Sequence, residues 1–266
     1  MAIQTVTKGA IEYLVAEGIS TVHCFTTRLG GVSKGYLASM NLGLHRGDNP
    51  ENVRQNYKIL TTALGIQPED LVLTKQIHSD IIRRVGRADQ GLYMTEGATP
   101  ECDGLITNEP GTALVVFGAD CTPILLWDSE TGAVGACHAG WRGTAMSIAG
   151  KTAQAMVREF GCKPENLHAA IGPNISACCF ETTDDVPNAM LEAFGEDAKA
   201  HITPKGDKFY VNLKGLNALS LEKAGVRHIE IATQCTACDP TRFWSHRRMG
   251  DSRGAQGAII FCKEVR

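Results

Sequence analysis

Cys121 and His138 are seventeen residues apart, in the segments Gly118-Ala-Asp-Cys-Thr-Pro-Ile-Leu-Leu-Trp-Asp128 and Gly132-Ala-Val-Gly-Ala-Cys-His-Ala-Gly-Trp-Arg-Gly143. These residue types support two chemistries. An imidazole can take the proton of a neighbouring thiol and leave a thiolate nucleophile, as in cysteine hydrolases. The same pair can also ligate a metal, and nitrogen and sulfur donors suit zinc. Spacing alone leaves both open.

Two apolar runs flank Asp128-Ser-Glu-Thr-Gly132 and read as a β-hairpin. With the turn centred on Ser129 and Glu130, Cys121 directly faces His138. With a loop from Ser129 to Gly132, the two are diagonal neighbours. Either register leaves both side chains on one face and within reach, whereas a one-residue slip separates them. Pro123 donates no ladder hydrogen bond, which suggests a bulge or a sheet edge nearby. Asp120 before the cysteine and Gly140-Trp-Arg-Gly143 after the histidine lie at strand ends, where scaffolds present chemistry.

The chain holds ten cysteines among 266 residues. Met1-Ala-Ile-Gln-Thr5 shows no basic stretch leading into an apolar one, so the expectation is a cytoplasmic protein without disulfides. Cys24, Cys102, Cys137 and Cys262 read as small buried apolar residues, and Cys162 as incidental. Cys178-Cys179 with Cys235-Thr-Ala-Cys238 has the makings of a four-cysteine zinc site or a redox pair. A structural zinc normally shows two CxxC knuckles, and a thioredoxin-like motif opens a helix where Asp239-Pro240 follows here. The expectation is therefore against both. Gly30-Gly-Val-Ser-Lys-Gly35 lacks the phosphate-cradling Gly-Lys-Ser/Thr order and reads as a flexible loop.

The elements that must position these residues are legible in part. Hydrophobic residues make up 43% and charged residues 21%, ordinary globular values. The net charge of −3 argues against a protein that coats nucleic acid, and no apolar run is long enough for a membrane helix. No repeat or linker divides the chain, which predicts one domain over 1–266. A helix is expected over 50–64 behind Asn49-Pro50, and another over 144–160 with Thr144 as N-cap and Gly161 as terminator. Strands are expected at 71–73, from 81, and at 105–107, 113–117, 124–127 and 133–137. Further strands near 167–171, 208–212, 228–232 and 258–262 alternate with helices near 184–194 and 213–224. Hairpins and separate helices indicate α+β rather than a doubly wound sheet.

Thr74-Lys-Gln-Ile-His78-Ser, Gly118-Ala-Asp-Cys-Thr-Pro123 and Cys137-His-Ala-Gly-Trp-Arg-Gly-Thr144 closely resemble the YfiH/laccase-domain family, described both as polyphenol oxidase and as purine nucleoside phosphorylase. Ser39-Met-Asn-Leu-Gly43 with Arg46-Gly-Asp48, Ile171-Gly-Pro-Asn-Ile175 with Phe180-Glu181, and Phe243-Trp-Ser-His-Arg-Arg248 extend the resemblance over nearly the whole chain. One departure is Met249-Gly-Asp-Ser-Arg-Gly254, where the family has a Gly-Arg pair; Arg253 is the available substitute.

The resemblance implies mixed β-sheets in an α-β-β-α sandwich, similar to the deamidase domain of cytotoxic necrotizing factors. It implies zinc bound by His78, Cys121 and His138, with a fourth position open as in catalytic sites. By residue chemistry alone His78 is no better a candidate than His45 or His246. The implied activity is phosphorolysis of adenosine, inosine and methylthioadenosine, with deamination of adenosine. Zinc lowers the pKa of bound water toward about 7, which suits attack at purine C6. Cys121, His138 and Asp120 are the candidate catalytic residues, with Asp120 or another carboxylate as the proton shuttle. Asn41, Arg46, Gln76, Arg142, His246 and Arg247 are the implied substrate contacts. Arginine suits phosphate through its fork of donors, and motif membership puts Arg142 and Arg247 ahead of Arg46, Arg54 and Arg248. Trp141 is either a purine stacker or a buried residue beside a turn, and Cys179 and Cys235 are candidates to line the site.

Purine nucleosides and phosphate are the expected partners, with neither nucleic acid nor membrane. The rivals are a Cys121–His138 hydrolase, a peptidoglycan-precursor editing factor, a nucleoside-binding module and a copper polyphenol oxidase. The last is disfavoured because clustered His-x-His pairs are missing.

Overall fold

A computed structural model describes residues 2–91 and 99–264. The chain opens with three strands that the sequence pattern did not announce: β1 (Ile3–Lys8), β2 (Ile11–Ala16) and β3 (His23–Thr26). Helix α1 (Pro50–Leu64) forms where expected. The Asn49 side chain accepts the Glu51 N–H, proline occupies the first turn, and Gly65 at φ 74 closes the helix. Strands β4 (Leu71–Leu73), β5 (Ile82–Arg84), β6 (Gly104–Thr107), β7 (Ala113–Gly118), β8 (Thr122–Asp128) and β9 (Val134–Ala139) match the apolar runs.

The single helix expected over 144–160 is in fact two, α2 (Trp141–Ala145) and α3 (Ile148–Phe160). Ser147, at φ 57, breaks them. Thr144 is not a cap. It is buried within α2, where its hydroxyl accepts from Asn217 at 2.9 Å. The break lets the two segments serve different cores. Trp141 and Ala145 pack beside Met190 and Phe194, whereas Ile148, Ala153 and Met156 pack on a sheet.

The remaining elements are β10 (Leu167–Ile171), β11 (Glu181–Thr182), α4 (Asp185–Phe194), β12 (Ile202–Lys205), β13 (Lys208–Val211), α5 (Leu213–Lys223), β14 (His228–Ile231), α6 (His246–Met249) and β15 (Gln256–Phe261). One mixed sheet runs β1-β2-β3-β15-β7-β4, and a second runs β14-β10-β8-β9-β6-β5. A small third sheet runs β11-β13-β12.

The layers follow from what each apolar face meets. Leu14, Phe25, Leu114, Val116 and Ile260 of the first sheet pack against Leu105, Leu125, Val134 and Ala170 of the second. On the outer face of the first sheet, α1 sets Val53, Tyr57 and Leu60 against Leu71, Val115 and Ile259. On the outer face of the second, α3 and α5 cover Ile106, Ile124 and Leu126. The order helix, sheet, sheet, helix is the expected α+β sandwich.

Two connections matter for chemistry. Residues 74–81 carry the chain from β4 to β5, and residues 119–121 carry it from β7 to β8. Both pass from the first sheet to the second, and they start from parallel neighbours, since β4 pairs with β7. Pro123 lies at neither a bulge nor an edge. It is the second residue of β8, an interior strand, just beyond Ile124, where pairing with β10 ends, so no ladder donor is required of it.

Candidate metal centre

The β8–β9 hairpin closes through a four-residue loop. Asp128 organises it by accepting from the backbone N–H groups of Glu130 and Thr131 at 3.0 and 2.7 Å. Pro123 pairs with His138 and Thr122 with Ala139, so Cys121 is diagonal to His138, the second of the two expected registers. Gly140 follows that last pair. A Cβ there would sit 3.0 Å from His78 Cδ2 and 3.3 Å from Cys121 Sγ, so the glycine leaves the room that lets these groups converge.

His78 comes from the 74–81 crossover and has φ 60; Asp120 on the neighbouring crossover has φ 90. Positive φ is uncommon outside glycine, though less so for His and Asp, and it gathers at functional sites. The ligating atoms of His78, Cys121 and His138 lie within 4.8 Å of one another, and the two imidazoles meet edge to face at 5.0 Å. Exposure falls across the triad: His78 is exposed, Cys121 half-buried and His138 buried.

The residue that orders this triad is Asp103, which no motif nominated. It is fully buried. Oδ1 accepts from His138 Nδ1 at 2.9 Å and from the His78 N–H at 3.1 Å. Oδ2 accepts from the N–H groups of Ile77 and Ser79 and from the Ser79 hydroxyl. One carboxylate thus pins the His78 loop and sets the His138 tautomer, leaving Nε2 as the ligating nitrogen. The one sequence signal was a carboxylate at the head of an apolar strand, Cys102-Asp-Gly104.

The charges reinforce the geometry. Burial disfavours the Cys121 thiolate, yet the imidazoles of His138 and His78 bring the thiol down to about 6. Burial likewise opposes the His138 cation, but Cys121 and Asp103 hold it up to about 9. Burial would raise Asp103, and hydrogen bonds from His138 and Ser79 carry it down to about 2. The result is a thiolate–imidazolium pair whose proton a divalent cation can displace. A thiolate with two imidazoles and one open side fits a borderline-soft ion such as zinc.

The other expected residues divide by what they touch. Asp120 has both carboxylate oxygens engaged, by the Thr236 hydroxyl and the Arg247 N–H, each at 2.6 Å. Gln76 grips the Phe117 backbone at both ends, at 2.9 and 2.7 Å. Asn41 is buried, accepting from Gly43 and Ala255 and donating to Asp48. The Arg247 guanidinium donates to the carbonyls of Cys179 and Glu181. His246 is exposed, with Nδ1 3.4 Å from the Gly250 carbonyl, and Arg142 stacks over Trp141 at 4.3 Å. Arg54 pairs with Glu51 out on α1.

Arg253 is the further cation at the centre. Its side chain is 13% exposed, its Nε is buried without a partner, and it lies within the fields of Arg46, Asp120 and Cys121. A cleft of about 310 Å³ is lined by Trp141, Phe180, Glu181, Thr182, Asp185 and Lys208. Cys24, Cys102, Cys137 and Cys262 are buried as expected, and Cys162, read as incidental, is buried as well. The other four, to which spacing gave neither a zinc nor a redox role, come together: the sulfurs of Cys178, Cys179, Cys235 and Cys238 lie within 4.8 Å of one another.

Residues 22–263 match the family model described as multi-copper polyphenol oxidoreductase laccase. The purine nucleoside phosphorylase YlmD of Geobacillus stearothermophilus is 37% identical over 88% of this chain and 86% of its own. A purine nucleoside phosphorylase of Deinococcus radiodurans is 35% identical over 96% and 94%. The crystal structure of the Bacillus licheniformis hypothetical protein YfiH superposes with a TM-score of 0.92 at 31% identity, covering 98% and 99% of the two chains. With the sandwich and the His–Cys–His triad in place, these matches show that the chain belongs to the YfiH/laccase-domain family.

Proposed function

We propose that this chain is a zinc-dependent purine nucleoside phosphorylase with adenosine deaminase activity, acting in the cytoplasm as one domain over 1–266. The observation that carries the reading is the convergence of His78, Cys121 and His138, with Asp103 bracing both histidines and Arg253 in the field of Cys121. It is supported by relatives that are named purine nucleoside phosphorylases.

His78, Cys121 and His138 would hold the ion, which when bound supplies Lewis-acid polarisation. In phosphorolysis a phosphate oxygen bonds to ribose C1′ while the C1′–N9 bond breaks, and the purine leaves with the electron pair and takes up a proton. Arg46 and Arg253 would hold the phosphate; the unpaired buried Nε–H of Arg253 supports that reading. Trp141 and Phe180 offer aromatic faces for the base in the cleft. Arg142, His246 and Arg247 stand at the exposed rim. Asp120, Gln76 and Asn41 act as positioning residues, because their polar atoms already hold the backbone around the site.

Metal analysis combined with product detection from adenosine plus phosphate tests this. Hypoxanthine with ribose-1-phosphate is the expected outcome. Inosine alone would leave only the deaminase, and no product from zinc-loaded protein would favour the precursor-editing or binding readings. His78→Ala and Cys121→Ala should each lose metal and turnover together; full activity in the metal-free double variant overturns the role. The thiolate–imidazolium pair also suits a cysteine hydrolase. That reading requires alkylation of Cys121 without metal loss, whereas a ligating thiolate is protected. Copper in place of zinc is distinguished by the same metal analysis.

A further inference from the structure

Cys178 and Cys179 lie in one turn and Cys235 and Cys238 in another, fifty-six residues later in the chain. A parallel bridge between Asn174 and Cys235 joins the two segments, reinforced by the Thr236 N–H on the Asn174 carbonyl at 2.9 Å. The sulfurs then stand 3.8 Å apart for Cys178 and Cys179, 3.5 Å for Cys178 and Cys238, and 3.4 Å for Cys179 and Cys238. All four thiols are free.

We propose that these four cysteines form a second, mononuclear tetrathiolate site for zinc, separate from the His–Cys–His centre. Zinc–sulfur bonds of about 2.3 Å in a tetrahedron set sulfur–sulfur edges of about 3.8 Å. The observed spacings lie near that edge and far beyond the roughly 2.05 Å of a disulfide. A cluster of several irons would spread its thiolates over different metal atoms and hold them wider. Four soft sulfur donors around one centre suit zinc, and the rival that shares this geometry, a single iron, is separated by the metal analysis below.

The surroundings are built for thiolate charge. The backbone N–H of Ser176 donates to Cys235 Sγ at 3.3 Å, and those of Ala237 and Cys238 also point to that sulfur. Four thiolates around a divalent ion carry a net double negative charge. Lys214 answers it from beneath, with a buried ammonium close enough to interact with Cys235 and Cys178. Its three donors go to Ser176 Oγ at 3.1 Å and to the carbonyls of Ala232 and Gln234, both at 2.7 Å. Lysine thus holds both cysteine-bearing segments in register before any ion arrives. Cys178 and Cys238 are exposed, giving the ion a path in.

The site has a structural task. Arg247 donates to the Cys179 carbonyl, Arg248 donates to the Ala237 carbonyl, and Thr236 donates to Asp120, the residue before Cys121. A tetrathiolate clamp would therefore fix the wall that carries Arg247 and Phe180 beside the His–Cys–His centre.

The test is metal content of the full chain purified under reducing conditions. Wild-type protein should hold a second equivalent of zinc. Cys178→Ser and Cys238→Ser should each lose one equivalent and keep the other, as should His78→Ala, and a combined variant should lose both. In the His78→Ala background, cobalt should give the intense thiolate-to-metal absorption of a tetrathiolate, and added Cys238→Ser should abolish it. If the serine variants misfold, wild-type protein still decides: with zinc bound, alkylation should spare these four cysteines, and a chelator should expose them. A single equivalent that disappears with His78→Ala overturns the proposal. So does a disulfide joining the two turns, or iron in place of zinc. None of these outcomes depends on nucleoside turnover.

Discussion

Asp103 sets how His138 presents itself, because its carboxylate receives the Nδ1 proton and leaves Nε2 as the donor toward Cys121 and His78. Replacing it by asparagine keeps the volume and removes the charge. Asp103→Asn should weaken metal binding by about 10–100-fold, the usual cost of losing a carboxylate behind a ligating histidine. Competition with a chromogenic chelator reads this, and unchanged affinity would show that the brace is dispensable. Gly140 gives a second test. Its φ of −66 and ψ of 174 suit any residue, so alanine strains no backbone there. Its methyl group, however, would meet His78 and Cys121 at 3.0 and 3.3 Å. Gly140→Ala should fold normally, by circular dichroism, yet bind metal more weakly than wild type. Residue chemistry and hairpin logic brought out Cys121 and His138. His78 needed the family resemblance, since its approach depends on a crossover. Asp103 stayed hidden because only the pairing of Gly104 with Cys137 carries it to the imidazole.

Elements whose burial leaves a continuous or periodic apolar pattern were legible, and those that change partners midway or stay exposed were not. The strands from β6 to β9 are buried on both faces and read as continuous apolar runs. In β1 every third residue is half-buried and the others are exposed, so its pattern carries no period of two. The break at Ser147 escaped notice because α2 and α3 are apolar in sequence alike, while their partners differ. Spacing argued against the four-cysteine cluster because one of its pairs is vicinal rather than a CxxC, and the isolated bridge that joins the two turns leaves no pattern in the sequence. Helix α1 carries none of the metal ligands and offers a control. Its Asn49 side chain accepts the Glu51 N–H at 2.9 Å. Asn49→Ala should cost about 1 kcal/mol of stability. A urea midpoint shift with metal content unchanged is the expected result, and a loss of metal would show that α1 and the centre are coupled.

At the scale of the whole molecule, His23 and His168 each contribute to the loss of stability in acid. His23 is neutral in the fold: Nε2 accepts the Ala16 N–H at 2.8 Å, and Nδ1 faces the Thr21 carbonyl at 2.9 Å. Burial lowers its pKa below 6.5, against a weaker opposing pull from Glu230. Burial and His228, stacked at 4.5 Å, lower His168 in the same sense. The unfolded chain therefore binds more protons below pH 6.5. Stability should be flat in these groups above that pH and fall below it, by at most about 1.4 kcal/mol per unit for each histidine. Chemical denaturation at about pH 7.5 and about pH 5.5 checks the slope, which His23→Gln should make shallower. The position of the His–Cys–His centre has a mechanical consequence. Both crossovers that feed it, 74–81 and 119–121, run from one sheet to the other, and His138 belongs to the second. An ion held there would act as a rivet through the two layers, so a force that slides one sheet over the other would load the ligand bonds before it stripped the apolar seam.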